Sequence, residues 1–419
     1  MSRLAVSAPC IVGLLALLTL TLGCSPAGPS RDQESATAMR ITPKASQEIE
    51  EMAPVPTLRV ATFNVSLYGK QAGQILDRLS DGEDRQAEKI AAIVQTVRPD
   101  ILVVNEIDFD AESKTARVLN DLYFARSQDG LEAWSFPHVQ SFPSNTGVDS
   151  GLDINGDQKL GSPDDAWGYG VYPGQYAMAV FSRHAIRVDE IRSFQNLLWS
   201  EMPGALVPVD PKTGKGYYSD EVWSELRLSS KNHVDVPVRV DGRTLHVLAS
   251  HPTPPVFDGP ADHNGCRNHD EIRLWTEYIG GGENDWLRDD GAGTGGLAAE
   301  EAFVIFGDLN ADPDFGDGRR EAIENLLAHP RTIDPEPAPA GATDDAEAGR
   351  NQSPLATADF GRNGLMRVDY VLPGDQFRVV DAGVFWPRKV DGDDVARRQR
   401  DRMTASDHRL VWVDVAWQP

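Results

Sequence analysis

The sequence predicts an α/β domain in which a mixed β-sheet, or a pair of packed sheets, carries helices on its outside. Two observations lead there. Apolar and β-branched runs of strand length interleave with helical periodicities from Leu58 to the C-terminus. That interleaving lacks the strict strand–helix–strand period of an all-parallel sheet. A third observation bounds the answer: 419 residues, 40% hydrophobic and 25% charged, is ordinary globular composition with ample material for a core. Collagen-like, coiled-coil and wholly disordered chains are excluded.

Taken in order, Leu58–Val65 (LRVATFNV) is apolar and β-branched and reads as the first strand. Ile90, Ile93, Val94 and Val97 recur at i, i+3, i+4 and i+7, one face of an amphipathic helix that stops before Pro99. Ile101–Val104 is a continuous apolar run of strand length, as in a buried strand. Further strands are predicted at Ala177–Ser182, Val236–Val240, Thr244–Ser250, Phe303–Phe306, Met366–Leu372, Phe377–Val380 and Leu410–Val415. Helices are predicted near Glu112–Tyr123, Glu271–Ile279 and Arg319–Leu327. Four stretches read as insertions on this scaffold, roughly 126–175, 195–220, 254–300 and 331–362. The last is dense in Pro, Ala, Gly and Asp and is expected to be a long surface loop.

The N-terminus is organised differently. Arg3 precedes an apolar run from Ile11 to Leu22 that ends at Gly23-Cys24. The run is short for a bilayer span but has the length of a signal-peptide core. Leu20-Thr-Leu-Gly-Cys24 resembles a bacterial lipoprotein signal, in which the cysteine is acylated and becomes the first mature residue. Thr21 stands where the commonest form has leucine, and ordinary secretion is the alternative. Residues 1–23 are therefore read as a signal peptide. Residues 24–57, rich in Ser, Pro, Ala, Glu and Gln, are read as a disordered tether able to hold a domain on the order of 30 Å from an anchor. Residues 58–419 are read as one domain. The protein is expected to be exported, as a membrane-anchored lipoprotein or else secreted, to meet a membrane only through a lipid on Cys24, and to be a monomer. Cleavage removes Cys10 and leaves Cys266 alone in the domain, with no intramolecular disulfide open to it.

Lys plus Arg total 40 against 64 Asp plus Glu, a net charge of −24. A chain this acidic repels nucleic-acid phosphates and anionic lipid at long range, which argues against a dedicated duplex-DNA surface. It leaves room for a phosphate-handling site, because a bound cation inverts the sign locally.

The informative pattern is where the polar residues sit. Asn64 ends the first strand, Asn105-Glu106 follow Ile-Leu-Val-Val, and His251 follows Val-Leu-Ala-Ser. Asp308 and Asn310 follow Phe-Val-Ile-Phe-Gly, Asp369 sits inside Arg-Val-Asp-Tyr-Val-Leu, and Asp407-His408 precede the final strand. Apolar strands that turn polar at their ends are how a rigid scaffold offers side chains to a shared cleft. Singly, each such acid is a common turn or helix-cap residue. Together, Thr62-Phe-Asn-Val65, Asn105-Glu106, Gly307-Asp-Leu-Asn310, Arg367-Val-Asp-Tyr370 and Ser406-Asp-His408 resemble the endonuclease/exonuclease/phosphatase superfamily, the deoxyribonuclease-I-like metal-dependent phosphoesterases. The resemblance covers essentially all of 58–419, and Gly-Asp-Leu-Asn and Ser-Asp-His are its most diagnostic pieces. It implies a four-layer sandwich of two packed mixed β-sheets flanked by helices, with the site at one end. One family variant has an acid two residues past the first asparagine; here that position is Ser66.

Phosphate-ester hydrolysis needs an activated water, a sink for charge in the transition state and help for the leaving oxygen. Glu106 is a hard-oxygen ligand suited to Mg²⁺ (or Mn²⁺), with Asn64 as its neighbour. His408 suits a general base, its ordinary pKa lying near neutrality. The resemblance implies that Asp369 orients this imidazole, that Asp407 faces the metal, that Asp308 aligns the nucleophile, and that Asn310 and His251 donate hydrogen bonds to phosphoryl oxygens.

Two other features stand apart. Asp153, Asn155 and Asp157 occupy positions 1, 3 and 5 of a calcium-loop pattern and Asp164 position 12, without the glycine at position 6 or the glutamate at 12 of an EF-hand. A structural Ca²⁺ is the expectation, a plain acidic turn the alternative. His263 and His269 flank Asn264-Gly-Cys-Arg-Asn268, a stretch read as a loop in which Arg267 and Asn268 either reach substrate oxygens or serve loop structure alone; its spacing matches no closed zinc pattern.

The function expected is an exported, metal-dependent phosphoesterase acting on a small or nonduplex phosphoester, the large insertions favouring an enclosed pocket. A secreted endonuclease is the alternative within the same chemistry. A catalytically inactive binding lipoprotein is the alternative from another class, and the intact set Glu106, Asp308 and His408 argues against it.

Overall fold

The computed structural model describes residues 57–282 and 284–418. The signal-peptide and tether readings, Cys24 among them, lie outside these residues. No helix among the described residues is long and apolar enough to cross a membrane.

The strands are β1 Leu58–Leu67, β2 Ile101–Ile107, β3 His138–Phe142, β4 Ala177–Ser182, β5 Ala185–Ile186, β6 Arg192–Ser193, β7 His233–Val240, β8 Arg243–Ser250, β9 Ala302–Asp308, β10 Asn351–Gln352, β11 Ala358–Asp359, β12 Gly364–Met366, β13 Asp369–Pro373, β14 Phe377–Val384 and β15 Val411–Trp417. The α-helices are α1 Gln74–Leu79, α2 Arg85–Val97, α3 Lys114–Leu119, α4 Asp220–Glu225, α5 His263–Gly280, α6 Arg320–Leu327 and α7 Asp394–Arg402. One large sheet has the order β14-β15-β1-β2-β4-β3 and the other β13-β9-β8-β7-β5, with β6 also on β7. Each is mixed: β1 and β2 are parallel, as are β8 and β9, while their outer neighbours run antiparallel.

The period-two alternation of buried strands builds the layers. In β8 and β9, Val247, Ala249, Val304 and Phe306 face the first sheet and share its core with Val60, Ile101 and Val103. The intervening Leu248, Phe303 and Ile305 face outward into a second core with Ile272, Trp275 and Ile279 of α5 and Ile323 and Leu326 of α6. Ile90, Ile93 and Val94 of α2 join the first core from the helical layer. That helix is capped by the Asp84 side chain, which accepts from Ala87 N–H, and it ends at Val97, ahead of Pro99. Helix, sheet, sheet and helix make the four-layer sandwich.

Local departures from the sequence expectations have physical reasons. The strand expected over Met366–Leu372 is two strands, because Arg367 and Val368 leave the ladder: Arg367 N–H donates to Asp312 and Val368 N–H to the Thr357 hydroxyl. The helix expected near Glu112–Tyr123 is α3 followed by a π-turn over Asn120–Phe124. The stretch 331–362 is not a free loop. It carries β10 and β11, and ion pairs of Asp334 with Arg367 and of Asp345 with Arg400 tie it to the sandwich.

At the strand centres of the second sheet, Asp235 is buried and accepts from the Tyr278 hydroxyl and from His246 Nδ1 at 2.8 Å. Burial alone would lower the His246 pKa, but Asp235 and, more distantly, Glu301 raise it. A histidine raised above its unfolded value adds stability that is fully present below that value, about 6.5, and is lost as pH rises through the folded one. The gap in urea midpoint between the wild type and His246→Gln should therefore be wider at pH 5.5 than at pH 9. Equal gaps would remove the imidazolium–carboxylate pair from the account.

Candidate active site

The site lies where β1, β2, β8, β9 and β13 present one set of ends, and irregular backbone aims the side chains. Pairing of β2 shifts register between Asn105 and Ile107 on the β4 side and across Asn64 and Leu67 on the β1 side. Glu106 is the surplus residue of that bulge, at φ 60°, with Ser66 of β1 at φ 48° and Tyr176, in the turn just before β4, at φ 52°. A bulge of this kind re-aims a side chain out of the pleat, and strained backbone persists only where its surroundings over-determine it. Across the cleft, Gly307 has φ 144°, and a Cβ there would stand 2.0 Å from the Ser250 carbonyl oxygen. Only glycine lets β8 and β9 close up just before His251 and Asp308.

Buried Asn64 links the two sheets: its Nδ2 donates to Glu106 Oε1 at 3.0 Å and to Asp308 Oδ2 at 3.1 Å. His408 Nδ1 donates to Asp369 Oδ2 at 3.0 Å, and its Nε2 faces Asp308 Oδ2 at 3.7 Å. The Asp369 backbone N–H is held by the Thr357 hydroxyl, so the loop through 357 helps set the imidazole's partner. His251 Nε2 stands 3.5 Å from the same Asp308 oxygen, while its buried Nδ1 has no partner. Asn310, at φ 51°, donates its backbone N–H to Asp308 Oδ1 and one amide hydrogen to the Pro252 carbonyl.

Glu106, Asp308, Asp369, His408, His251, Asn64 and Asn310 thus converge, from positions more than three hundred residues apart in sequence. Asp407 does not enter the centre. It is exposed at the rim and accepts from the Ser66 hydroxyl at 3.1 Å, so its charge reaches Glu106 without its oxygens joining the cluster.

Burial raises the pKa of Glu106 and of Asp308, against the opposing hydrogen bond from Asn64. Burial would push His408 down, but the charges of Asp369 and Asp308, with the Asp369 hydrogen bond and Asp407, push it up to about 10. Burial, Lys231 and His408 keep His251 well below its ordinary value, so it is neutral. Two ligand groups satisfy the spacing of a cation site, Glu106–His251–Asp308 and Asp308–Asp369–His408, with donor atoms within 4.8 Å of one another. Buried carboxylates crowded this closely, and costly to ionise alone, are the donor chemistry of a hard divalent cation. Its charge would offset the same carboxylates that hold the His408 proton.

The calcium expectation fares differently. Asp153 accepts the backbone N–H groups of Asp157 and Gln158, and Asp157 pairs with Lys159. Asp153, Asp157 and Asp164 form no carboxylate group within ligand reach among the described residues. Asp165 is the buried acid of this segment, accepting the Ile154 and Ser162 N–H groups at 3.0 Å each and the Ser162 hydroxyl at 2.8 Å. The acid–amide spacing closes a tight turn with backbone donors; the sequence pattern cannot separate that use from ligation.

Residues 263–270 are the first turns of α5, not a loop. Arg267 donates to the Leu228, Trp167 and Arg227 carbonyls, and Asn268 to those of Thr253 and Leu309. Fully buried Glu271 accepts from Ser230 N–H and Thr253 N–H, both at 2.6 Å, and from the Ser230 hydroxyl. The helix is a polar bracket that fixes the chain on both sides of His251. No apolar stripe marks this helix in the chain, because the buried side of α5 is polar at its start.

Lys231 is a site residue that sequence reasoning missed. It is 6% exposed, donates to the Pro252 carbonyl at 3.3 Å, and lies against Glu106 and His251 in the wall of a chamber of about 610 Å³. Burial lowers its pKa, with Glu271, Glu106 and Asp308 pulling the other way. No periodicity marks a lone lysine in Ser-Ser-Lys-Asn as an inward one. The insertions wall the chamber: Asn155 and Tyr169 come from the first, Tyr217 and Tyr218 from the second, and Phe257 and His263 from the third.

The model of the Endonuclease/Exonuclease/phosphatase family matches residues 61–408, spanning every one of these strand ends. The chain belongs to the endonuclease/exonuclease/phosphatase family. Members of this family are hydrolases that act on phosphate esters. Among solved structures, an endonuclease/exonuclease/phosphatase from Beutenbergia cavernae is 19% identical with a TM-score of 0.45, covering 86% of this chain and 72% of that one. Sphingomyelinase C from Streptomyces griseocarneus is 17% identical with a TM-score of 0.44, covering 86% and 99%. A Staphylococcus aureus beta toxin variant with bound magnesium ions is 13% identical with a TM-score of 0.43, covering 87% and 100%. No curated protein matches the sequence.

Proposed function

We propose that this member of the endonuclease/exonuclease/phosphatase family is an exported metal-dependent phosphoesterase that hydrolyses small, nonduplex phosphate esters. The observation that carries the reading is the alignment Asp369–His408–Asp308, with Asp308 beside His251, which together with Glu106 and Lys231 lines a chamber of about 610 Å³. Export, and a lipid on Cys24, rest on the N-terminal sequence pattern alone.

His408 Nδ1–H on Asp369 fixes the tautomer and leaves Nε2 to accept a proton from water. Asp308, near the Nε2 atoms of both His408 and His251, is placed to orient that water. Oxygen from water bonds to phosphorus, the ester P–O bond breaks, and the leaving oxygen takes a proton. Lys231 and the second amide hydrogen of Asn310 oppose the charge that gathers on the phosphoryl oxygens. A divalent cation held by Glu106, with Asn64 as neighbour, would supply Lewis-acid neutralisation of that charge.

Purified protein should release p-nitrophenol from p-nitrophenyl phosphate or its bis ester in Mg²⁺ or Mn²⁺, and lose that activity in EDTA. Hydrolysis unaffected by EDTA, or cleavage confined to duplex DNA, would overturn the proposal.

A further inference from the structure

Pairing of β1 with β15 stops at Thr62 and Val411, well short of the end of β1 at Leu67. Beyond that point β1 meets the segment that leads into β15, and one side chain spans the gap. Gln86, in the first turn of α2, brings its Nε2 to 3.1 Å from the Val65 carbonyl, 3.0 Å from that of Ser66 and 2.9 Å from that of Ala405. Its Oε1 accepts from Arg78 Nη2 at 2.8 Å, and Arg78 pairs in turn with Asp84, the cap of α2. A guanidinium only donates and a carbonyl only accepts, so the amide has a single orientation that satisfies all four contacts. Two amide hydrogens are shared among carbonyls of two segments more than three hundred residues apart. Those segments carry the reacting groups. Asn64, whose amide meets Glu106 and Asp308, precedes Val65, and His408 follows shortly after Ala405. A second tie runs beside the first: Ser406 Oγ donates to the Asn64 carbonyl at 2.8 Å and accepts from His408 N–H at 3.1 Å.

Resting on the phosphoesterase reading, we propose that Gln86 is a positioning residue for the hydrolysis: it fixes the spacing between the end of β1, with Asn64 and its partner Glu106, and the segment that carries His408. It acts through backbone carbonyls only. Without its amide, three carbonyls lose a donor, and the hydroxyls of Ser406 and Ser66 are left as the side-chain ties across the gap. A displacement on the order of 1 Å between reacting groups costs about 100-fold in rate. The grip on the ester is spared, because Tyr217, Phe257 and His263 of the chamber wall come from other segments. The same helix supplies a control. Gln95, towards its other end, likewise gathers three carbonyls, those of Tyr123, Phe124 and Arg126, at 3.4, 3.0 and 2.6 Å. That end of α2 feeds the start of β2, whereas Glu106 stands near its finish. One glutamine therefore serves the helix's packing, and the other serves the site.

The test replaces each glutamine by methionine, which keeps the length and removes the donor, in the full-length protein. Gln86→Met should lower kcat on p-nitrophenyl phosphate in magnesium chloride by about 10–100-fold. KM should stay within about twofold of wild type, as for a change felt only in the reacting step. Gln86→Glu, which keeps an acceptor for Arg78 and loses only the donor, should match it. Gln95→Met should lower the melting temperature at least as far and leave kcat unchanged. A readout independent of activity is the proton NMR signal of the His408 Nδ1–H held by Asp369, identified by its absence from His408→Ala. It should shift or broaden in both Gln86 variants and stay in place in Gln95→Met. Normal kcat with an unmoved signal in a folded Gln86 variant, a loss carried by KM, or a kcat loss that Gln95→Met shares in full would overturn the positioning role. A moved signal in the Gln86 variants of a protein whose wild type hydrolyses no phosphate ester would sustain that role and overturn the phosphoesterase reading instead.

Discussion

Replacing His408 by alanine should lower turnover on the best phosphate ester by about 10²–10⁴-fold, the usual contribution of a positioned general base. The imidazole is held on three sides. Nδ1 is tied to Asp369, Nε2 faces Asp308, and the ring meets Phe360 edge-on at 5.4 Å. That leaves one orientation in which the ring can take a proton from water. Asp369→Asn should cost a comparable factor for a different reason, since an amide cannot be relied on to hold the Nδ1 proton or to stabilise the imidazolium. Because the two act as a unit, the double variant should be little worse than His408→Ala alone. The measurement is kcat under saturating ester and Mg²⁺, with a melting temperature for each variant to separate chemistry from folding. A loss below tenfold in a variant that melts normally would remove His408 from the chemistry. Fully additive losses would separate it from Asp369.

Glu271→Ala should be strongly destabilising, by about 3–5 kcal/mol, the cost of leaving buried charged and polar partners unpaired. The side chain is fully buried and meets the backbone N–H groups of Ser230 and Thr253 and the Ser230 hydroxyl. Its loss leaves those donors without acceptors and takes away the carboxylate that acts most strongly on Lys231. Urea unfolding followed by tryptophan fluorescence gives the difference. A cost under about 1 kcal/mol, the scale of an ordinary exposed hydrogen bond, would mean that water fills the gap and that α5 does not bracket the site. Glu271→Gln keeps one oxygen acceptor and should recover part of the loss.

Much of this architecture was legible in the chain because the central strands carry apolar runs that turn polar where they reach the cleft. The run Ala177–Ser182 is reproduced residue for residue, and Phe303–Phe306 and Thr244–Ser250 lie within β9 and β8. Asn64, Glu106, His251, Asp308, Asn310, Asp369 and His408 were found because each interrupts or ends such a run. Asp407, next to His408 in the chain, stands at the rim of the cleft and accepts from Ser66. What stayed hidden has no pattern to read. The first turns of α5 bury Arg267, Asn268, His269, Asp270 and Glu271, so no apolar stripe announces them. α7 is mostly charged, with Ala396 and Arg402 its only buried residues. Lys231 points inward for reasons set by Glu271, forty residues away.

The bulge at Glu106 divides what can vary in this protein from what cannot. Within a paired strand a side chain can be repositioned only by a whole step, about 3.3 Å along the strand with a change of face. The distance from Glu106 to Asn64 and Asp308 therefore has no neighbouring values; it is either this one or one that breaks the set. The chamber walls are under no such rule. Tyr169, Tyr217 and His263 come from segments outside the central ladders and can shift, lengthen or be exchanged by fractions of an ångström. Bond-breaking is thus digital in this fold, and the choice of what is broken is continuous.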